Sequence, residues 1–250
     1  MTARARTRAS DSVVEQIRDL IDDLAESGAL ADRGRLPPER VITERIGCAR
    51  MTVRTALWQL EAEGMVFRAN RSGWYLSPPR LQYDPTRDVS FTETAIRQGR
   101  KPDSIVLSVE ETRADHVVAA NLGVNKGRRI VFIVRTRLLD DRPVFVERSH
   151  VLANRCPGLA KIASSEVSLA RLYEREYGLT IRRQQIVMHP TALSEDDAQA
   201  LRVSPGTPGL HLRRLSADQN GLLFSFDVEA WAHHALAINI RPRATGDGNA

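Results

Sequence analysis

The stretch from Ile46 to Met65, IGCARMTVRTALWQLEAEGM, decides the reading of this chain. It sets Arg50 and Arg54 one helical turn apart with Thr52 between them, then continues through Val53, Leu57 and Leu60. The apolar residues form a stripe at a 3.6-residue period, and the arginines and threonine lie at the front end on the other side. A solvated surface helix needs no such front end, whereas a helix whose first turn enters a polyanion does. Arginine donates two hydrogen bonds to guanine O6 and N7, or grips a phosphate as a charge. The spacing does not say which arginine does which.

Upstream, Val14, Ile17, Leu20, Ile21 and Leu24 predict a helix over residues 11–27, stopped by Gly28. After LPPER (36–40) a short helix turns Val41, Ile42 and Ile46 inward, with Pro38 suited to its start and Gly47 to its end. The third helix runs from about Arg50 to Glu63 and stops at Gly64. MVFRANRSGWYLS (65–77) then reads as two short strands about a turn at Asn70–Gly73. Three helices and a hairpin in this order make a winged helix-turn-helix over residues 1–77, whose third helix enters the major groove by its N-terminal end. SPPRLQYDPTRD (77–88) has neither the helical nor the strand period, so residues 78–88 read as a Pro-stiffened linker.

Residues 89–242 read as a second, α/β domain. Ser90 caps a helix in VSFTETAIRQGR. RRIVFIVRTRLL and RPVFVERSHVL form a hairpin around Asp140-Asp141. SLARLYEREYGL and SEDDAQALRV are helices, and GLHLRRLSA and LLFSFDVEAWA are strands. There is an internal echo: AANLGVNKGRRIVFIVRTR resembles AQALRVSPGTPGLHLRRLS, with Leu122 over Leu201 and Gly127 over Gly206, an offset of 79 (201 − 122). Each copy is helix, glycine turn, strand, hairpin and strand, and each second strand carries a glutamate, Glu147 or Glu229. Two copies are too few for a solenoid and suggest a pseudo-two-fold domain.

Bulk composition bounds the function class. Hydrophobic content of 42% and charged content of 27% are ordinary for a globular protein. No apolar run approaches 18 residues, and no apolar stretch follows the basic MTARARTRAS, so neither a membrane span nor a secretory signal is expected. Cys48 and Cys156 make no C-x-x-C pair, which fits a reduced cytoplasm. A net charge of +5 leans mildly toward an anionic partner. His233 and His234, taken as neighbours on a strand, would point to opposite faces, and the other histidines have no ligand spacing, so no metal and no cofactor are expected. Trp231 and Phe226 read as core rather than as a stacking platform.

LPPERVITERIGCARMTVRTALWQLEAEGMV (36–66) resembles the GntR family of bacterial transcription regulators, whose usual form is L-P-S-E-R, a short helix, G-V-S-R-x-T-V-R-x-A-L, then L-x-x-E-G. The resemblance covers nearly all of residues 11–77. It implies DNA contacts from Arg40, from the helix start Ala49, Arg50, Met51, Thr52 and Arg54, and from the wing tip, Arg71 and Gly73. Ala49 stands where the family usually has serine, which removes a helix cap worth about 1 kcal/mol. Cys48 replaces a valine and reads as a small hydrophobe. The wing is NRSG in place of Q-G-R-G, which puts Arg71 where a glycine backbone contact is usual.

The second domain resembles the effector-binding (UTRA) domain of the HutC subfamily. The resemblance rests on SFTETAIRQGRKPDSIVLS, VFIVRTRLLDDRPVFVERSHV, SLARLYEREYGL and FDVEAW. It implies a chorismate-lyase-like fold with an antiparallel sheet, and so an α+β chain overall. It implies effector contacts from Ser90, Phe91, Arg135, Arg137, Glu147, Ser168 and Glu229. Arg135 and Arg137 alternate on one strand and so share a face, which suits a phosphate, phosphonate or carboxylate. The glutamates suit hydroxyl or amine groups, or else pair with the arginines as a structural network. Ala170 and Ala235 stand where sugar-phosphate-sensing members carry tyrosine. RSGWYLSPPRLQYDPTRD and EAWAHHALAI are instead similar to the subgroup associated with phosphonate utilisation, for which a small zwitterion such as 2-aminoethylphosphonate fits. The expected protein is a homodimeric repressor on a palindromic operator, not an enzyme. The rivals are a constitutive DNA-binding protein whose second domain only dimerises, and a lyase-like enzyme.

Overall fold

The computed structural model describes residues 3–240 apart from 31–33, 70, 71, 86, 88, 89 and 166. The first 76 residues build three helices and a hairpin: α1 (Ala3–Glu26), α2 (Glu39–Ile46), α3 (Arg50–Ala62), β1 (Val66–Ala69) and β2 (Gly73–Leu76). Alpha1 begins earlier than the apolar period suggests. Ile17, Ile21, Ile42, Val53, Leu57, Leu60 and Val66 are all essentially inaccessible and, with Trp74, form one core. Gly47, at φ 71°, ends α2 in the left-handed conformation and frees the chain to turn into α3. Beta1 and β2 pair antiparallel from Val66↔Leu76 to Ala69↔Gly73. Gly64, at φ 75°, is needed for a second reason: a Cβ there would meet the Arg80 guanidinium, which donates to the Glu63 carbonyl at 2.8 Å.

The stretch expected to be a featureless linker contains a strand. Beta3 (Leu81–Tyr83) pairs in parallel with the last strand, β10 (Leu236–Ile238). Leu81 and Tyr83 are buried and Gln82 is exposed. Three residues are too few for alternation to stand out from a proline-rich background.

The second region continues through α4 (Phe91–Arg97), β4 (Pro102–Arg113), α5 (His116–Leu122), β5 (Arg129–Leu139), β6 (Arg142–Leu152), α6 (Leu159–Ile162), α7 (Leu169–Tyr177), β7 (Arg182–Ala192), α8 (Glu195–Leu201), β8 (Pro208–Ala217) and β9 (Leu223–Ala232). Its six-stranded sheet runs β4-β5-β6-β9-β8-β7, and every pairing is antiparallel. The order mirrors about the β6/β9 seam. Strand, helix, strand, strand (β4-α5-β5-β6) is repeated as β7-α8-β8-β9, so the echo is a real structural duplication. The β5–β6 turn is the two-residue hairpin expected, with Asp140 at φ 52° and Asp141 at φ 63°. Trp231 and Phe226 are both buried but belong to separate clusters, as odd spacing on a strand requires. His233 and His234 lie in the turn after β9 rather than on a strand.

The two regions touch. His233 Nε2 lies 2.6 Å from the Glu61 carbonyl at the end of α3. The His234 ring stacks on Phe67 of β1 at 4.5 Å and 8°. Ala69 makes an isolated bridge to Val203.

Candidate DNA interface and effector site

The residues expected to face DNA gather at the start of α3. Ala49 has extended backbone and no side-chain cap hydrogen bond, so the helix starts uncapped. Arg50 is 68% exposed and Met51 59% exposed, and Thr52 is partly exposed. Arg54 is more constrained: its Nη2 and Nε donate to Glu39 Oε2 at 2.8 and 3.3 Å. Glu39 Oε1 also accepts from Trp74 Nε1 of the wing at 3.1 Å. Burial pushes the Glu39 carboxyl up, but the bonds from Arg54 and Trp74 outweigh it and hold the group below its ordinary value. Arg40 is exposed and pairs with Glu44 at 2.7 Å. Gly73 sits at φ 105°, a backbone only glycine adopts freely. Arg71 lies outside the described residues.

In the second region the sheet face bearing Arg135 forms the floor of a cavity of about 50 Å³. That holds on the order of four waters, or one compact tetrahedral group. Ser90, Phe91, Arg135, Arg137, Glu147 and Ser168 all line it. Glu229 does not: it is fully buried, paired with Arg214 and accepting from Trp231 Nε1 at 2.7 Å. Both serines are occupied as helix caps, Ser90 Oγ accepting from Glu93 N and Ser168 Oγ from Arg171 N, each at 3.3 Å. Their side chains thereby fix the starts of α4 and α7 at the cavity wall.

The charges form a network. Glu147 Oε2 accepts from Arg135 Nε at 3.1 Å and also from its Nη2. Arg137 lies 3.6 Å and Arg214 3.8 Å from the same carboxylate. Burial pushes Glu147 up, but these three arginines hold it down at about 2. Arg137 Nη2 donates to Thr92 Oγ1 at 2.9 Å, its guanidinium lies 4.9 Å from the Phe91 ring centre, and its Nε has no hydrogen-bond partner. Burial and the neighbouring Arg135 charge push Arg137 below its ordinary value. That is the signature of a positive site short of negative charge. Asp227, opposite, is pushed up by burial, with Arg214 countering.

The residues missed from sequence are Arg214 and Asp227, with Thr92, Ser149, Tyr173 and Ser216 around them. The echo contained the signal for Arg214, since Arg135 plus 79 is 214. Register completes it: Arg135 pairs opposite Glu147 and Arg214 opposite Asp227. The structural counterpart of Glu147 is therefore Asp227. Glu229 instead faces Glu147 directly across the seam.

Among the described residues, no group of three or more His, Cys, Asp or Glu side chains is placed to hold a metal. No helix among them is long and apolar enough to cross a membrane. Burial lifts the Cys156 thiol to about 12, which leaves it unreactive.

Two parts of the chain match known families. Residues 10–76 match the bacterial regulatory proteins of the gntR family, and residues 97–237 match the UTRA domain. The chain is 31% identical over 221 residues to the HTH-type transcriptional repressor PhnF of Mycolicibacterium smegmatis, covering 88% of this chain and 87% of that one. It is 30% identical over 209 residues to the HTH-type transcriptional repressor NagR of Bacillus subtilis, covering 84% of this chain and 86% of that one. The crystal structure of PhnF from Mycobacterium smegmatis superposes with a TM-score of 0.63 at 26% identity, over 93% of this chain and all of the other. With a winged helix whose third helix presents arginine at its start, and a charged cavity in the second region, the chain belongs to the GntR family as a DNA-binding transcription regulator with a UTRA effector domain.

Proposed function

We propose that this regulator is a repressor whose operator affinity is set by a small anion bound in the arginine cavity. The observation that carries the reading is the buried pair Arg135 and Arg137, which share the Glu147 carboxylate beside Arg214 and leave Arg137 Nε unpartnered. A phosphonate, phosphate ester or carboxylate supplies the missing negative charge and accepts from the guanidinium forks. Asp227 and Glu147 lie beside it and suit an amine or hydroxyl on the same ligand, which favours a small zwitterion such as 2-aminoethylphosphonate.

Arg50, with Thr52 and Met51, takes the groove-facing role, and Arg40 contacts the backbone. Two copies read a palindrome, because half-sites mirror protein symmetry. Exposed Ile105 and Leu107 on the edge strand β4 supply an apolar strip that favours association of two such domains. Arg214 Nη1 also donates to Tyr83 Oη at 3.2 Å, so an anion that draws on Arg214 acts on the strand leading to the wing.

A thermal-shift screen against phosphonates, phosphate esters, sugar phosphates and carboxylates tests the reading. A ligand at about 100 times its Kd adds roughly 2.7 kcal/mol to the native state. Loss of the shift in Arg137→Lys, which keeps charge but not the fork, supports the site. No shift with any anion returns the second domain to a purely dimerising role.

A further inference from the structure

We propose that the cleft between the wing and the second domain is a separate binding site, for a small monoanion with an apolar body such as an aromatic carboxylate. The cleft measures about 230 Å³, several times the arginine cavity, and its walls come from both regions. Phe67 and Tyr75 of the wing face Leu139, Val144, Leu201 and Val203. A cavity of this size and character takes a single ring better than water.

Two observations set the polar end of the ligand. His234 lines the cleft, is 5% exposed, and its Nδ1 has no hydrogen-bond partner. Burial, then the charges of His233, Arg142 and Arg80, push its imidazole down to about 3, so it is neutral at any working pH. With its proton on Nδ1, the neutral ring offers that idle nitrogen as a donor to an oxygen ligand. Arg142 and Arg100 also line the cleft. Arg100 is already engaged by Asp140 and the Pro79 carbonyl, which fixes its charge in place. Asp141 opposes them but is itself paired with Lys101 at 3.4 Å. The field, set by His233, Arg142 and Arg80 around His234, therefore disfavours a cation, and a neutral molecule gains less from it than an anion. An anion with a flat apolar body satisfies all of these terms: the body packs beside the Phe67–His234 stack and the carboxylate takes the His234 and Arg142 end.

The site is complete only while the wing is docked, because Phe67, Ala69 and Tyr75 close one side of it. Its occupancy is therefore coupled to any movement of the wing against the second domain, and ligand and DNA affinities change each other by the same factor.

Calorimetric titration of the full chain with benzoate, with benzyl alcohol and benzylamine in parallel, tests the proposal. Benzoate is expected to bind at one site per chain, the alcohol at least about tenfold more weakly, and the amine not at all. His234→Phe keeps the stacked ring, removes Nδ1, and weakens benzoate about tenfold. Val203→Phe fills the cleft and abolishes binding. Arg142→Gln stands in for either variant that fails to melt cooperatively, and weakens benzoate without changing the alcohol. Absence of benzoate binding, equal affinity for acid and alcohol, or undiminished binding in Val203→Phe overturns it.

Discussion

Arg54 reaches back from the recognition helix to Glu39 at the start of α2, with Nη2 2.8 Å from Oε2. Glu39 also takes the indole N–H of Trp74, so one carboxylate ties α2, α3 and the wing together. Of the two arginines that announce the motif, Arg54 holds the fold in shape, and Arg50 is mostly exposed and only 3.6 Å from the same carboxylate.

Glu39→Ala should therefore destabilise the chain. It leaves Trp74 Nε1 and the partly buried Arg54 without their acceptor, at a cost of about 1–3 kcal/mol. Denaturant unfolding measures this, and an unchanged midpoint refutes the tie.

Arg50→Ala should do the reverse. Arg50 is mostly exposed and 3.6 Å from Glu39, a pair worth about 0–1 kcal/mol. The melting temperature stays nearly constant while operator affinity drops by about 1–3 kcal/mol. A salt titration separates the two roles. A phosphate contact lowers the slope of log affinity against log salt by about 1, and a base contact relaxes specificity at one position.

Arg135→Ala breaks the buried pair with Glu147. Such breaks cost about 3–5 kcal/mol. Arg137 and Arg214, at 3.6 and 3.8 Å, soften the loss toward the lower end. The double variant Arg135→Met, Glu147→Leu should be no more stable than Arg135→Ala alone, because deleting Glu147 leaves the buried Arg137 without its carboxylate. Equilibrium unfolding of both variants decides it.

Glu147 also sets an acid limit. Its folded value of about 2 lies below its ordinary 4.5. Its stabilisation is thus complete above about 4.5 and is lost as pH falls toward 2. Asp227 has the opposite sign: its raised value means protonation favours the fold, so it does not contribute to the loss. Unfolding free energy followed from pH 6 downward should fall less steeply in Glu147→Gln than in the natural chain.

How much of this the sequence revealed depends on the length of the pattern. The helices carried several apolar repeats each, and Val53, Leu57 and Leu60 proved fully buried, as the spacing requires. Beta3 has three residues and a partner more than 150 positions away, so no local pattern could reveal it. Strand alternation put Arg135 and Arg137 on one face. It could not show that Glu229 lies behind the cavity rather than in it, because that depends on register across strands distant in sequence. The Ser90 cap, a contact three residues long, was legible locally. Arg214 was within reach, one repeat length beyond Arg135. The Arg54–Glu39 tie was not, because two residues 15 apart on different helices leave no mark in a periodicity.

The duplication about the β6/β9 seam has one more consequence. The two halves are not equivalent where they meet the cavity: Arg135, Arg137 and Glu147 on one side answer to Arg214, Ser216 and Asp227 on the other. A symmetric scaffold thus produces a lopsided cradle, rich in guanidinium at one end and in hydroxyl and carboxylate at the other. A ligand lying across it would meet unlike groups at its two ends, set by the arginine-for-serine and glutamate-for-aspartate differences between two copies of the same fold.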